Sequence, residues 1–217
     1  MSSYKILFQG DSITDGNRGR NEDPNHILGH SYAYIAAAKL AFEYPQKNLN
    51  FINKGVSGNT AADLYARWQK DALNLRPDAI SILIGVNDTA EEANSPESLV
   101  YHRFDATLKL ILDQTKEILP NTKIILMEPF MLDTGNLDRN IYERRVALLK
   151  EKQLSVKEIA SNYGAIFVPL QERFNKASEI RPASYWIWDS VHPTYAGHGL
   201  IADAWLQDTA ELFRCLQ

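Results

Sequence analysis

Short apolar runs recur along the chain at residues 4–8, 49–53, 79–84, 123–127 and 166–169. Each is of strand length. Most are filled with Ile, Leu, Val or Phe rather than alternating with polar residues, which is how a strand buried on both faces reads. The segments between them carry a helical period. Ser31 suits the N-cap of a helix over 32–42. Asn59-Thr60 can cap a second, whose apolar positions Ala61, Leu64, Tyr65, Trp68 and Ala72 recur at threes and fours. Pro96 opens a third that runs through Leu99, Phe104, Leu108, Ile111, Leu112 and Leu119, and Pro120 stops it. Helices are also predicted over 140–163, ended by Gly164, and over 195–213.

Strands alternating with helices imply parallel βαβ units in one sheet, with helices on both faces. Ligands of such sheets collect beyond the C-terminal strand ends. No internal repeat, low-complexity tract or linker divides the chain, so a single domain over 1–217 is expected. The polar segment 16–29, rich in Gly, Asn and Arg, follows the first strand and is placed to border a site.

Composition narrows the partners. The 217 residues are 45% hydrophobic and 23% charged, as in ordinary globular proteins, and long enough for a sizeable core. A net charge of −4 argues against a nucleic-acid surface and leaves neutral substrates open. The lone cysteine, Cys215, excludes an internal disulfide and fits a reducing compartment. It has no neighbouring His, so it reads as a bystander rather than a nucleophile. The apolar run from Ile6 is too short for a signal peptide, and no window approaches the roughly 20 apolar residues of a membrane span. A cytoplasmic protein with no membrane partner is expected. A homo-oligomer is expected only from the general habit of soluble enzymes.

The chemistry gathers where the strands end. The first run leads into Gly10-Asp11-Ser12, the second into Lys54-Gly55-Val56-Ser57-Gly58-Asn59, and the third into Gly85-Val86-Asn87-Asp88; Trp188-Asp189-Ser190-Val191-His192-Pro193 comes near the C-terminus. Ester hydrolysis needs a nucleophile, a base, an acid that orients the base, and donors for the developing oxyanion. Ser12 offers a hydroxyl at a turn that Gly10 allows to bend. Asp189 and His192 are close enough in sequence for carboxylate and imidazole to meet, and Pro193 restricts His192 to extended backbone. The Ser12 and Gly58 N–H groups and the Asn87 amide are the candidate oxyanion donors.

These four blocks, in this order, closely resemble the SGNH hydrolases, the GDSL esterase/lipase family: Ser12 in Gly-Asp-Ser, Gly58 in Ser-Gly-Asn-Thr, Asn87 in Gly-Val-Asn-Asp, and His192 in Asp-Ser-Val-His-Pro. The resemblance spans nearly the whole chain. It implies a three-layer α/β/α sandwich with a five-stranded parallel sheet (flavodoxin-like), and Ser12, His192 and Asp189 as nucleophile, base and orienting acid. Ile13 stands where the family name has Leu, a conservative change. The stretches "NKGVSGNTAADLYARW", "GVNDT" and "WDSVHPTYAGH" are most similar to intracellular acetylesterases acting on acetylated xylan fragments. That implies an acetylated sugar as the small-molecule substrate, and no cofactor or metal. Tyr185, Trp186 and Trp188 would suit a sugar ring, which stacks on flat apolar faces.

Simpler readings compete at several positions. Asp11 can cap the turn by bonding its amides as well as border a substrate. An Asp11–Glu22 calcium loop fails because its third position is Ile13 and a strand precedes it. Ser31, in Gly-His-Ser-Tyr-Ala, nearly matches a hydrolase elbow but lacks the strand and final glycine, and reads as a cap. His26, His30 and His102 read as solvated, His198 as structural, Ser57 as a turn residue and Asp88 as a loop-orienting residue. Glu128 follows a strand end and is expected at the pocket wall. Arg67 either approaches the site or lies on the surface. A lysophospholipase or thioesterase using the same triad, and a non-catalytic carbohydrate-binding protein, are the alternative functions.

Overall fold

The computed structural model describes residues 3–21, 23–95 and 103–214. Five strands, β1 (Tyr4–Gly10), β2 (Leu49–Asn53), β3 (Ala79–Leu83), β4 (Lys123–Met127) and β5 (Ile166–Val168), form one sheet in the order β2-β1-β3-β4-β5. Every pairing is parallel. Successive side chains leave opposite faces of a strand, and the core divides accordingly. Ile6, Phe8, Leu83, Ile125 and Met127 enter one hydrophobic cluster with the helices Tyr32–Glu43 and Tyr195–Asp208. Leu7, Ile80, Ile82, Ile124 and Leu126 enter the other, with Ala61–Ala66, Phe104–Ile118 and the C-terminal half of Arg139–Tyr163. The result is the expected α/β/α sandwich. All of β3 is buried because both neighbours and both helical layers cover it.

The strand order places the site. The chain leaves β1, builds β2 on one side, and returns to build β3 on the other, so the ends of β1, β2 and β3 lie side by side at the switch point where open α/β sheets bind ligands. The register aligns Phe8 with Asn53 and Gly10 with Leu83.

Several predicted helices are broken or moved. The period that starts at Ala61 continues past Trp68, but Arg67 ends the Ala61–Ala66 helix and a separate turn covers Trp68–Asp71. The last helix stops at Asp208, and Ala210–Arg214 follows. Buried Thr209 intervenes, its hydroxyl donating to the Trp205 carbonyl at 2.6 Å, a back-bond that bends helices. Val86–Asn94 and Gln171–Ile180 are helices that the sequence pattern did not predict. The predicted start of the third helix at Pro96 and Leu99, and also Glu22, His102 and Cys215, lie outside the described residues. Among the described residues no helix is long and apolar enough to cross a membrane.

Candidate active site

Ser12 opens a single helical turn, Ser12–Asp15, directly after β1. Asp11 caps it, its carboxylate accepting the Ile13 N–H at 3.0 Å. A Cβ on Gly10 would collide with the Leu83 carbonyl oxygen and the Thr14 hydroxyl. Glycine there lets β1 run close to β3 and turn at once into the helix. The Ser12 N–H sits in a first helical turn, where backbone donors have no intrahelical partner and are free to bind a ligand anion.

The Ser12 hydroxyl lies 2.8 Å from His192 Nε2, and His192 Nδ1 lies 2.6 Å from Asp189 Oδ2. A tight hairpin, closed by the Ile187–Pro193 bridge and by the Trp188 N–H donating to the His192 carbonyl at 3.0 Å, holds Asp189 and His192 together. Asp189 Oδ1 accepts the Val191 N–H at 3.1 Å and the His192 N–H at 2.7 Å. Burial alone would raise the Asp189 carboxyl, but the bonds from the His192 amide and ring and the Val191 amide outweigh it and hold it below 3.8. The acid therefore stays ionised beside the imidazole, which favours a proton on Nδ1 and leaves Nε2 to accept from Ser12. Ser190 adopts a left-handed φ of +76°, and its hydroxyl lies 2.8 Å from that of Thr134. Its carbonyl accepts the Leu132 N–H. These contacts fasten the hairpin to the segment after β4.

The other two candidate donor segments follow β2 and β3, the strands on either side of β1. The loop after β2 is tied to β1, with Lys54 N–H donating to the Phe8 carbonyl and Val56 N–H to the Gly10 carbonyl. Asp15, from the Ser12 turn, accepts the Ser57 N–H at 3.2 Å and the Ser57 hydroxyl at 3.3 Å. Gly58 follows with φ +83° and open space where a Cβ would stand, so its glycine answers a backbone demand rather than a steric one. Across the site, Asn87 lies in the first turn of Val86–Asn94 and donates its Nδ2 to the Asn59 carbonyl at 3.0 Å. Asp88 reaches back to accept the Ala61 N–H at 3.2 Å from both carboxylate oxygens. Burial raises its pKa to about 6, against the pull of that N–H and of Lys152.

The remaining candidates are placed differently from one another. Trp188 is 59% exposed, with its ring stacked 5.9 Å from that of His192. Trp186 turns its indole N–H to the Ala177 carbonyl at 3.0 Å. Asp11 is 1% exposed, so its carboxylate serves the turn and presents almost nothing to solvent or to a substrate. Glu128, expected at the pocket wall, accepts the Leu170 and Gln171 N–H groups at 2.7 and 2.8 Å and so caps the Gln171–Ile180 helix. His198 is buried and accepts the Tyr32 N–H at 3.2 Å, while Ser31 caps the same helix through Ala33. Arg67 is not on the surface, with only 16% of its side chain exposed. Asp15, Asn59 and Arg145 went unrecognised in the sequence. Buried Arg145 donates to the Val86 carbonyl at 3.0 Å and pins the turn that carries Asn87. The first-turn acid in "SITDG" was the available signal for Asp15; Arg145 had none, since its partner is 59 residues away.

A serine hydroxyl 2.8 Å from an imidazole, at the C-terminal edge of a parallel α/β sheet, points to one class, the acyl hydrolases of this fold. The chain belongs to the GDSL-like lipase/acylhydrolase family, whose model matches residues 8–200. It is 37% identical over 213 residues to an acetylxylan esterase from Geobacillus stearothermophilus, covering 95% of this chain and 94% of that one. The crystal structure of Axe2, an acetylxylan esterase from the same organism, superposes with a TM-score of 0.83 at 36% identity, over 95% and 94% of the two chains. LAE5, an alpha/beta hydrolase enzyme from the metagenome of Lake Arreo, Spain, gives 0.84 at 28% identity over 100% and 98%. The protein is a carboxylic ester hydrolase.

Proposed function

We propose that this esterase removes acetyl groups from carbohydrates such as acetylated xylooligosaccharides, with Ser12, His192 and Asp189 as its triad. The observation that carries the reading is the unbroken line from the Ser12 hydroxyl through His192 to Asp189, at 2.8 and 2.6 Å. Ser12 Oγ attacks the ester carbonyl as its proton passes to His192 Nε2. The charge that develops on the carbonyl oxygen is met by the Ser12 and Gly58 N–H groups and by Asn87 Nδ2. The intermediate collapses, the bond to the sugar oxygen breaks, and His192 returns the proton to the leaving hydroxyl. Water then attacks the acetyl-Ser12 ester by the same route in reverse, releasing acetate. Asp189 keeps the imidazole oriented and stabilises its charged form.

The sugar assignment is supported by the likeness to Axe2, which is an acetyl-xylooligosaccharide esterase with a catalytic serine and a catalytic aspartate. It is also supported by Trp188, an exposed flat face beside the base on which a pyranose ring can stack. Acetate release from acetylated xylooligosaccharides, together with rates on p-nitrophenyl acetate, butyrate and decanoate, tests it. Acetate release and a rate falling with chain length are expected. Fast decanoate turnover without acetate release would replace the sugar by a lipid or thioester substrate.

A further inference from the structure

One guanidinium touches two of the three segments that supply an oxyanion donor in the reading above, and reaches the third through Asn59. Arg67 Nε donates to Asn59 Oδ1 at 2.7 Å, and Nη2 donates to the Gly10 carbonyl at 3.1 Å. Nη1 faces the Lys54 carbonyl at 2.7 Å, Gln9 Oε1 at 2.8 Å and Asp71 Oδ2 at 3.4 Å. Gly10 lies two residues before Ser12, while Lys54 and Asn59 bracket Gly58. The Asn59 carbonyl holds Asn87 Nδ2 at 3.0 Å. Gln9 is fully buried at the end of β1 and donates its own amide to the Asp71 carbonyl at 2.7 Å, so it is fixed before Arg67 reaches it.

We infer that Arg67 is the positioning residue of the oxyanion pocket, setting the Ser12, Gly58 and Asn87 donors in register through Gly10, Lys54 and Asn59. This rests on the esterase reading and deepens it. A residue that merely stiffened the fold would have no need to gather acceptors from the ends of both β1 and β2. A planar guanidinium spreads five donors over three nitrogens and can serve such dispersed acceptors at once, whereas an ammonium's three donors all leave one nitrogen. The same contacts explain the early end of the Ala61–Ala66 helix, because the side chain at its C-cap is drawn in toward the sheet. Arg67 acts through Asn59 on Asn87 and touches no substrate. Its effect therefore belongs in kcat, since the donors matter most when the charge develops.

The experiment is steady-state hydrolysis of p-nitrophenyl acetate by Ser12→Ala, Arg67→Lys, Asn59→Ala, Asn87→Ala and the Asn59→Ala/Asn87→Ala double variant, with urea unfolding of each. Displacing reacting groups by about 1 Å can cost about 10²-fold. Arg67→Lys should thus lose roughly 10- to 100-fold in kcat with KM within about twofold, and the pH profile should keep its midpoint because the His192–Asp189 pair is untouched. Asn59→Ala should lose roughly tenfold alone and nothing further once Asn87 is alanine, the non-additivity expected of residues acting as one unit. Additive losses, an unchanged kcat in Arg67→Lys, or a change confined to KM would overturn the inference. If Arg67→Lys does not fold, the Asn59–Asn87 cycle decides, since Asn59 is a partly exposed turn residue. A Ser12→Ala variant as active as wild type would instead sink the esterase mechanism itself, a separate result.

Discussion

Asp11 carries a buried carboxylate with a half-used set of acceptors. Oδ1 caps Ile13, while Oδ2 is a buried atom without a hydrogen-bond partner. Burial pushes its pKa from 3.8 up to about 7, against the pull of the Ile13 amide and of His192. The sign follows from proton counting. Between about pH 4 and 7 the folded chain holds a proton that the unfolded chain has released, so this residue's contribution to stability falls as pH rises through that window. Asp11→Asn keeps the capping oxygen and removes the charge. Urea unfolding should show the variant gaining on wild type from pH 4 to pH 8, by up to a few kcal/mol, and parallel pH curves would contradict this. Ser190 shows a different residue-scale cost. Its left-handed backbone is unfavourable for a residue with a Cβ, and Ser190→Ala should lose about 1 kcal/mol in the same assay by giving up its bond to Thr134. That Asp11 would bond the amides of its turn was legible from Gly10-Asp11-Ser12. Its orphaned oxygen was not, because burial of the side chain is a tertiary fact.

At the scale of elements, strands were the most legible. Apolar runs mark the strands, most fully where both faces are covered as in β3, and the β2 and β4 bounds coincide with the runs at 49–53 and 123–127. Helix ends were less so. The stripe from Ala61 to Ala72 keeps its period across Arg67, and only the distant carbonyls of Gly10 and Lys54 explain the break. Gln171–Ile180 is short and mostly polar, and its capping acid, Glu128, comes from another strand end. The contact between the Tyr32–Glu43 and Tyr195–Asp208 helices yields a prediction. Burial, reinforced by His30 and His192, pushes the His198 pKa from 6.5 down to about 4, so the ring stays neutral with Nδ1 accepting from Tyr32. The unfolded chain takes up that proton first as pH falls, so this contribution is complete above about pH 6.5 and is lost between there and about pH 4. Nitrogen-15 NMR should find His198 neutral at pH 5.5 and protonated on Nε2 alone. A midpoint near 6.5 would contradict the capping role.

On the scale of the whole molecule, topology does the gathering. Serine, glycine and asparagine blocks separated by dozens of residues meet because β2, β1 and β3 are neighbours, and the Asp189–His192 hairpin closes over them through Thr134 and Leu132. The blocks stood out in the sequence because each sits at the end of an apolar run. The braces behind them stood out less: Arg67 was legible only as one of two readings, and Asp15 and Arg145 not at all, because all three answer carbonyls and amides that no side-chain pattern advertises. Everything in the proposed reaction depends on Ser12 being the attacking group. Peptide mapping by mass spectrometry after treatment with a fluorophosphonate tests it most directly. One adduct is expected, on Ser12, and none in a folded Ser12→Ala variant that has also lost esterase turnover. An adduct on another serine, such as Ser31, or an active Ser12→Ala protein would contradict it.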